Sequence, residues 1–229
     1  MKPPRIALAL LVLLTACHRE NPGTAQAGAD SPAPDVDAEH LLAAAPEGWR
    51  QVFRSNRGDT RIVEFVPADS PPGDAWTEKV AFESFAGAPL PDPITLLEGI
   101  AKDQRKTCDT FAERDTFSGA ENGYPTSVKM MICYDNPVTG KGQVTLVKSI
   151  RGDERFYVIT RAARTEPIAN DKDLPLPAEQ MAQWSLYLRA ISVCNPQRTE
   201  HPCPGSEKSP RAEKSPTREQ AQSAAKDQT

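Results

Sequence analysis

Five cysteines and three histidines carry most of the distinctive chemistry open to this 229-residue chain. Cys17 follows directly on a short apolar segment, whereas Cys108, Cys133, Cys194 and Cys203 form an even set further on. Four thiols in a chain exported to an oxidising compartment read as two disulfides, with three pairings open. Bonded cysteines need Cα atoms within about 7 Å of one another. Between Cys194 and Cys203 lie Asn195-Pro196 and Pro202, turn residues that can fold the chain back on itself. This favours Cys194–Cys203 and leaves Cys108–Cys133, the end of an expected helix tied to an expected strand. If Cys133 lies nearest the last helix, Cys133–Cys194 replaces that pairing. A rival reading groups Cys194, His201 and Cys203 as metal ligands, but it lacks a fourth donor, and Pro202 and Pro204 stiffen the segment.

His18, His40 and His201 all fall in stretches that read as tether or tail. A folded body without histidine excludes Ser-His-Asp and Cys-His catalysis and a histidine-bound zinc. Carboxylate or lysine chemistry stays open, yet no acidic pair stands out by spacing. The expectation is a protein that is not an enzyme and needs no cofactor or metal. Thr139-Gly140-Lys141-Gly142 lacks the first glycine and the Ser/Thr of a phosphate loop and reads as a hairpin turn. Arg57-Gly58-Asp59 and Arg151-Gly152-Asp153 are likewise turns, with Gly and Asp serving the backbone.

At the N-terminus, Lys2 and Arg5 precede the apolar run from Ile6 to Leu14, and small residues follow. That is the layout of a secretory signal. As a helix the run would be about 14 Å long, too short for a hydrocarbon core of about 30 Å. Leu14-Thr15-Ala16-Cys17 resembles the lipobox of bacterial lipoproteins at every position. The resemblance implies cleavage between Ala16 and Cys17, a diacylglycerol on the Cys17 sulfur, and acylation (palmitate included) that holds the mature chain to the bacterial membrane. His18 stands where an Asp commonly signals inner-membrane retention. For a Gram-negative host this implies the outer membrane, facing the periplasm, with the inner membrane as the alternative.

The elements that must position this chemistry lie between Trp49 and Tyr187, which bracket all fourteen aromatic residues. Residues 1–16 read as signal peptide and 17–45 as the lipidated cysteine with a Pro/Gly/Ala-rich tether. Residues 46–196 read as one globular domain, and 197–229 as a mostly disordered tail repeating Glu-Lys-Ser-Pro at 207–210 and 213–216. The net charge of −4 argues against a nucleic-acid partner.

Alternating apolar residues predict strands over 49–54, 61–66, 79–85, 111–117, 128–134, 142–150 and 155–162. Asp92-Pro93 is a helix-opening pair, with Ile94, Leu97, Ala101 and Cys108 near one face. Pro177 starts a second helix whose Met181, Trp184, Leu188 and Ile191 form one stripe. The order βββ-α-ββββ-α makes an α+β fold, an antiparallel sheet covered by two helices, and by element order it resembles the Mog1/PsbP-like fold.

The function expected from these features is a lipid-anchored, non-catalytic binding or accessory module of the envelope. Secretion-system assistance and toxin immunity are both open, with the envelope partner unspecified. The alternatives are a carrier of a small apolar ligand or lipid, in a pocket lined by Phe82, Met130 or Trp184, and a carboxylate-based hydrolase.

Overall fold

Period-two alternation becomes strand and the two 3.6-residue stripes become helix in a computed structural model, which describes residues 38–73, 75–169 and 176–204. The expected signal peptide, Cys17, His18, most of the tether, and the tail from residue 205 lie outside the described residues. In chain order the elements are β1 (His40–Leu42), β2 (Trp49–Arg57), β3 (Thr60–Pro67), β4 (Glu78–Ala86), α1 (Pro93–Arg105) and β5 (Thr110–Glu121). There follow β6 (Tyr124–Asn136), β7 (Lys141–Arg151), β8 (Arg155–Thr165), α2 (Ala178–Ala190) and β9 (Ser192–Cys194). Strands β2 to β8 form a seven-stranded antiparallel sheet in the order β2-β3-β4-β8-β7-β6-β5, while β1 pairs with β9 alone. The fold is α+β, with the expected order of sheet strands and helices, to which β1 and β9 are added.

Each face of the sheet takes one helix. Against α1 lie Met131, Val147, Phe156 and Val158, facing Leu97 and Ala101. On the opposite face Tyr124, Val144, Leu146, Tyr157 and Ile159 meet Trp184, Leu188 and Ile191. Successive residues Phe156 to Ile159 thus alternate between two cores, which is why β8 reads as continuously apolar. Each fully buried side chain of this size contributes about 2 kcal/mol. Arg161 fixes the seat of α2 further: its guanidinium lies 5.0 Å from the rings of Trp49 and Trp184 and 3.2 Å from Glu78.

Asp92 caps α1 by accepting from the Ile94 and Thr95 amides at 2.9 and 3.2 Å. The helix ends at Arg105, so Cys108 sits in the following turn rather than on the helix, and Ile94 is 42% exposed. Extending the helical stripe through Cys108 therefore ran one turn too far. The Lys106 and Thr107 amides donate to the Asp103 and Gln104 carbonyls, closing the helix with shorter-range bonds.

The folded part also reaches beyond 46–196 at both ends. Glu39, expected in the tether, is 6% exposed, and its carboxylate accepts from the Asp153 amide at 2.5 Å, the Arg155 amide at 3.2 Å and the Tyr157 hydroxyl at 3.2 Å. Burial, then the Glu39 charge, pushes the Tyr157 hydroxyl pKa up. Residue 152 must be glycine here, because a Cβ would overlap the Glu39 carboxylate. At the other end His201, expected in the tail, is 7% exposed and stacks on Tyr124 at 3.8 Å. Composition pointed to loose flanks because it does not register single polar residues that dock into waiting backbone donors.

Among the described residues Lys148 is the most deeply buried charge, with no exposed surface. Its Nζ pairs with the Glu121 carboxylate and donates to the Leu188 and Ile191 carbonyls at 2.8 and 2.7 Å. A cation under the C-terminal end of α2 meets both the terminal carbonyls and the negative end of the helix dipole. Burial lowers the Lys148 pKa from 10.5, opposed by Glu121.

Lys148→Met should cost about 3 kcal/mol, since the Ile191 carbonyl and the Glu121 carboxylate lose the donor that Lys148 provides. The lowered pKa makes the unfolded chain bind more protons below 10.5, so it contributes a rise in wild-type stability as pH climbs towards that value. Denaturant titrations across that range should show this contribution missing in Lys148→Met. Gly152→Ala should cost about 1–3 kcal/mol by displacing Glu39. Adding Glu39→Ala to it should then cost little more, and full additivity in thermal melts would contradict the docking.

Candidate functional site

β5 is one of the two edge strands of the large sheet, on the side away from β2. Phe117, Val128, Leu146 and Leu188 wall a cleft of about 560 Å³ between β5, β6, β7 and α2. Phe117 is 39% exposed, an apolar ring turned to solvent at one side. The Lys148–Glu121 pair borders the cleft, and Ser185 and Arg189 of α2 stand on its helix side. Volume, an apolar wall and a few convergent polar groups are the marks of a small-molecule site.

The chemistry of this pair is restricted. An ammonium has three hydrogens to donate, and Lys148 directs its bonds to Glu121, Leu188 and Ile191. The amine thus serves the fold and is not offered as a nucleophile. Glu121 is the one acid among the described lining residues, so the cleft brings no two carboxylates together. Its apolar wall is made by Phe117, Val128, Leu146 and Leu188.

The residues proposed from the sequence as pocket lining are placed elsewhere. Trp184 is core at 1% exposure, and Met130 and Phe82 pack against the same core. Phe82 also borders a smaller hollow of about 240 Å³ beside β1, where burial and then Glu64 raise the Glu83 pKa above 4.5. The cleft was missed because β5 read as ending at Phe117. Ser118-Gly119-Ala120 resembles a turn, yet it pairs in register with Ser127, Thr126 and Pro125 of β6 and carries the strand to Glu121. The true reversal is Asn122-Gly123, both at positive φ (49° and 82°), a hairpin signal visible in the sequence.

Both favoured disulfides are formed: Cys108–Cys133 with Cα atoms 5.5 Å apart, and Cys194–Cys203 at 5.0 Å. The Cys194, His201, Cys203 metal set is not assembled. The His201 ring donates through Nδ1 to the Asn122 carbonyl at 2.8 Å and places Nε2 3.7 Å from Asp153. His40 takes its place, with Nε2 3.4 Å from the Cys194 sulfur and 4.0 Å from that of Cys203. Two histidines therefore belong to the folded body, and the argument against histidine chemistry from their absence does not hold. Arg57-Gly58-Asp59 and Arg151-Gly152-Asp153 span the β2–β3 and β7–β8 reversals, and Thr139 to Gly142 the β6–β7 reversal. Ala16 and Cys17 lie outside the described residues, and no helix among those described is long and apolar enough to cross a membrane.

No protein-family model matches the chain, and no curated protein does. Among solved structures the chain is similar to LpqN, involved in cell envelope biogenesis of Mycobacterium tuberculosis, at 15% identity and a TM-score of 0.40, covering 70% of this chain and 86% of that one. It is also similar to the Ran-binding protein Mog1p of Saccharomyces cerevisiae, at 14% identity and a TM-score of 0.37, covering 66% and 89%.

Proposed function

We propose that the chain is a lipid-anchored envelope protein, held to the outer membrane by acyl chains on Cys17 and facing the periplasm, whose body is a non-catalytic binding module. The observation that carries this reading is the sequence Leu14-Thr15-Ala16-Cys17 after an apolar run. Two or more acyl chains give a stable anchor, at about 0.8 kcal/mol per buried CH₂. Twenty-two positions separate Cys17 from Glu39, where the body takes hold of the chain. Fully extended they reach about 75 Å, and as a coil about 25 Å. The body can therefore work at a distance from the lipid surface, on an envelope partner such as a secretion component or a delivered toxin.

A second reading is favoured by the cleft beside α2. Its apolar wall suits a small apolar ligand or an acyl chain, and neither flank supplies a filler. Residues 18–37 and 205–229 hold no aromatic residue and no Leu, Ile or Met. In this reading the anchored protein carries or presents an acylated molecule.

Mass spectrometry of the purified protein should find a mature chain that begins at an acylated Cys17. Cys17→Ser should abolish incorporation of labelled palmitate and release the protein from the membrane fraction, and an unmodified N-terminal Cys17 in the wild type would defeat the anchor. For the cleft, Ser185→Trp fills its open side from an exposed helix position. It should weaken binding of a fluorescent long-chain fatty acid by about tenfold, equivalent to 1.4 kcal/mol, with little change in melting temperature. Equal binding by both proteins would remove the carrier reading.

A further inference from the structure

At the seam where β1 meets β9, His40 and Cys194 stand directly opposite in register. Donor atoms of His40, Cys194 and Cys203 all lie within 4.8 Å of one another. Cys194 has no exposed surface, while His40 and Cys203 are partly exposed, so the group is sheltered yet reachable. The imidazole is oriented for ligation: Nδ1 lies 2.7 Å from the Ala38 carbonyl. A carbonyl can only accept, so Nδ1 carries the proton and Nε2 turns its lone pair to the two sulfurs. Metal-bound histidines are held in this way, by a carbonyl or carboxylate on the far nitrogen.

Distances support the same reading. Around a trigonal ion with metal–sulfur bonds of about 2.3 Å and a metal–nitrogen bond of about 2.0 Å, sulfur and nitrogen stand about 3.7 Å apart. The present separations of 3.4 and 4.0 Å bracket that value. Only the two sulfurs need to part, by about 2 Å, and Cys203 follows a stretch of turns over 196–200 and a bend at His201, outside any helix or strand.

We propose that, once the Cys194–Cys203 bond is reduced, His40, Cys194 and Cys203 form a three-coordinate site for a soft monovalent cation, Cu(I). A dithiol reductant supplies two electrons and two protons; the Cys194–Cys203 bond breaks to two thiols and the dithiol becomes a disulfide. Cu(I) then binds two sulfurs and Nε2, and the two thiol protons pass to water. Thiolate donors select Cu(I) over harder ions. A three-donor set with no fourth described His, Cys, Asp or Glu in the group suits an ion content with three ligands. The disulfide joins two points of the C-terminal segment, whereas the metal also ties in β1, on the side of the chain that leads to Cys17. The proposal does not depend on the lipid anchor or on the cleft.

The test uses the full chain in detergent, reduced with dithiothreitol, separated from reductant under nitrogen and titrated with Cu(I) against bathocuproine disulfonate. Because reduced Cys108 and Cys133, and Cys17 in any unacylated chain, also present thiols, the measured quantity is the difference from Cys194→Ser/Cys203→Ser. The reduced wild type should hold one more equivalent of Cu(I) than this variant, with a thiolate-to-copper ultraviolet band. His40→Ala should weaken that equivalent by about tenfold or more, while circular dichroism checks that each variant keeps its sheet. The oxidised protein should lack the equivalent. No difference from the double serine variant, equal affinity in a folded His40→Ala, or equal binding by the oxidised protein would each overturn the proposal.

Discussion

One buried ammonium sets much of the arrangement around the second helix. Lys148 projects from the interior strand β7 to meet the last carbonyls of α2 and a carboxylate at the far end of β5. Burying an ion costs several kcal/mol unless its partners are well placed, and here those partners come from two separate elements, β5 and the end of α2. The charge therefore demands that α2 end where it does and that β5 extend to Glu121. The side of the cleft follows from these two demands, since α2 and the end of β5 are its opposite walls. The chain leaves α2 at Ile191, one of the Lys148 acceptors, and enters β9 at Ser192. The seam with β1 thus begins one residue from the buried charge.

Much of this architecture was legible in the sequence because burial on two faces imposes periodicity. Every strand of the large sheet, the capped start of α1 at Asp92-Pro93 and the stripe of α2 could be read from residue type and spacing. What escaped were features with too few residues to show a period. β1 and β9 have three residues each, and no alternation can be seen over that length. The docking of Glu39 against the backbone at 153–155 joins residues more than a hundred positions apart, and nothing local announces it. The cleft escaped for a different reason. Ser118-Gly119-Ala120 has the composition of a turn, but a strand partner on one side held it extended.

The cysteines show what geometry adds to counting. Cys133 shares the α1 side of β6 with Met131, and the turn after α1 brings Cys108 to it. Cys194 and Cys203 are joined across the reversal at 195–202, where the Asn195 amide donates to the His201 carbonyl at 2.8 Å. Their spacing made both pairings readable. That His40, and not His201, lies beside the second bridge depends on β1, the element that the sequence concealed.

The docking of Glu39 has a mechanical consequence under the anchoring through Cys17 proposed above. Tension from a membrane would enter the body at the N-terminal side of β1. An antiparallel strand pulled from one end peels away one hydrogen bond at a time, each giving way under little load. Glu39 precedes β1, so the pull first meets its carboxylate, gripped by several amides and a tyrosine hydroxyl together. These bonds must fail as a group before any peeling starts. The three-residue strand behind them is shielded from force by a single side chain, and the disulfide at its partner keeps the other half of the seam from being drawn out with it.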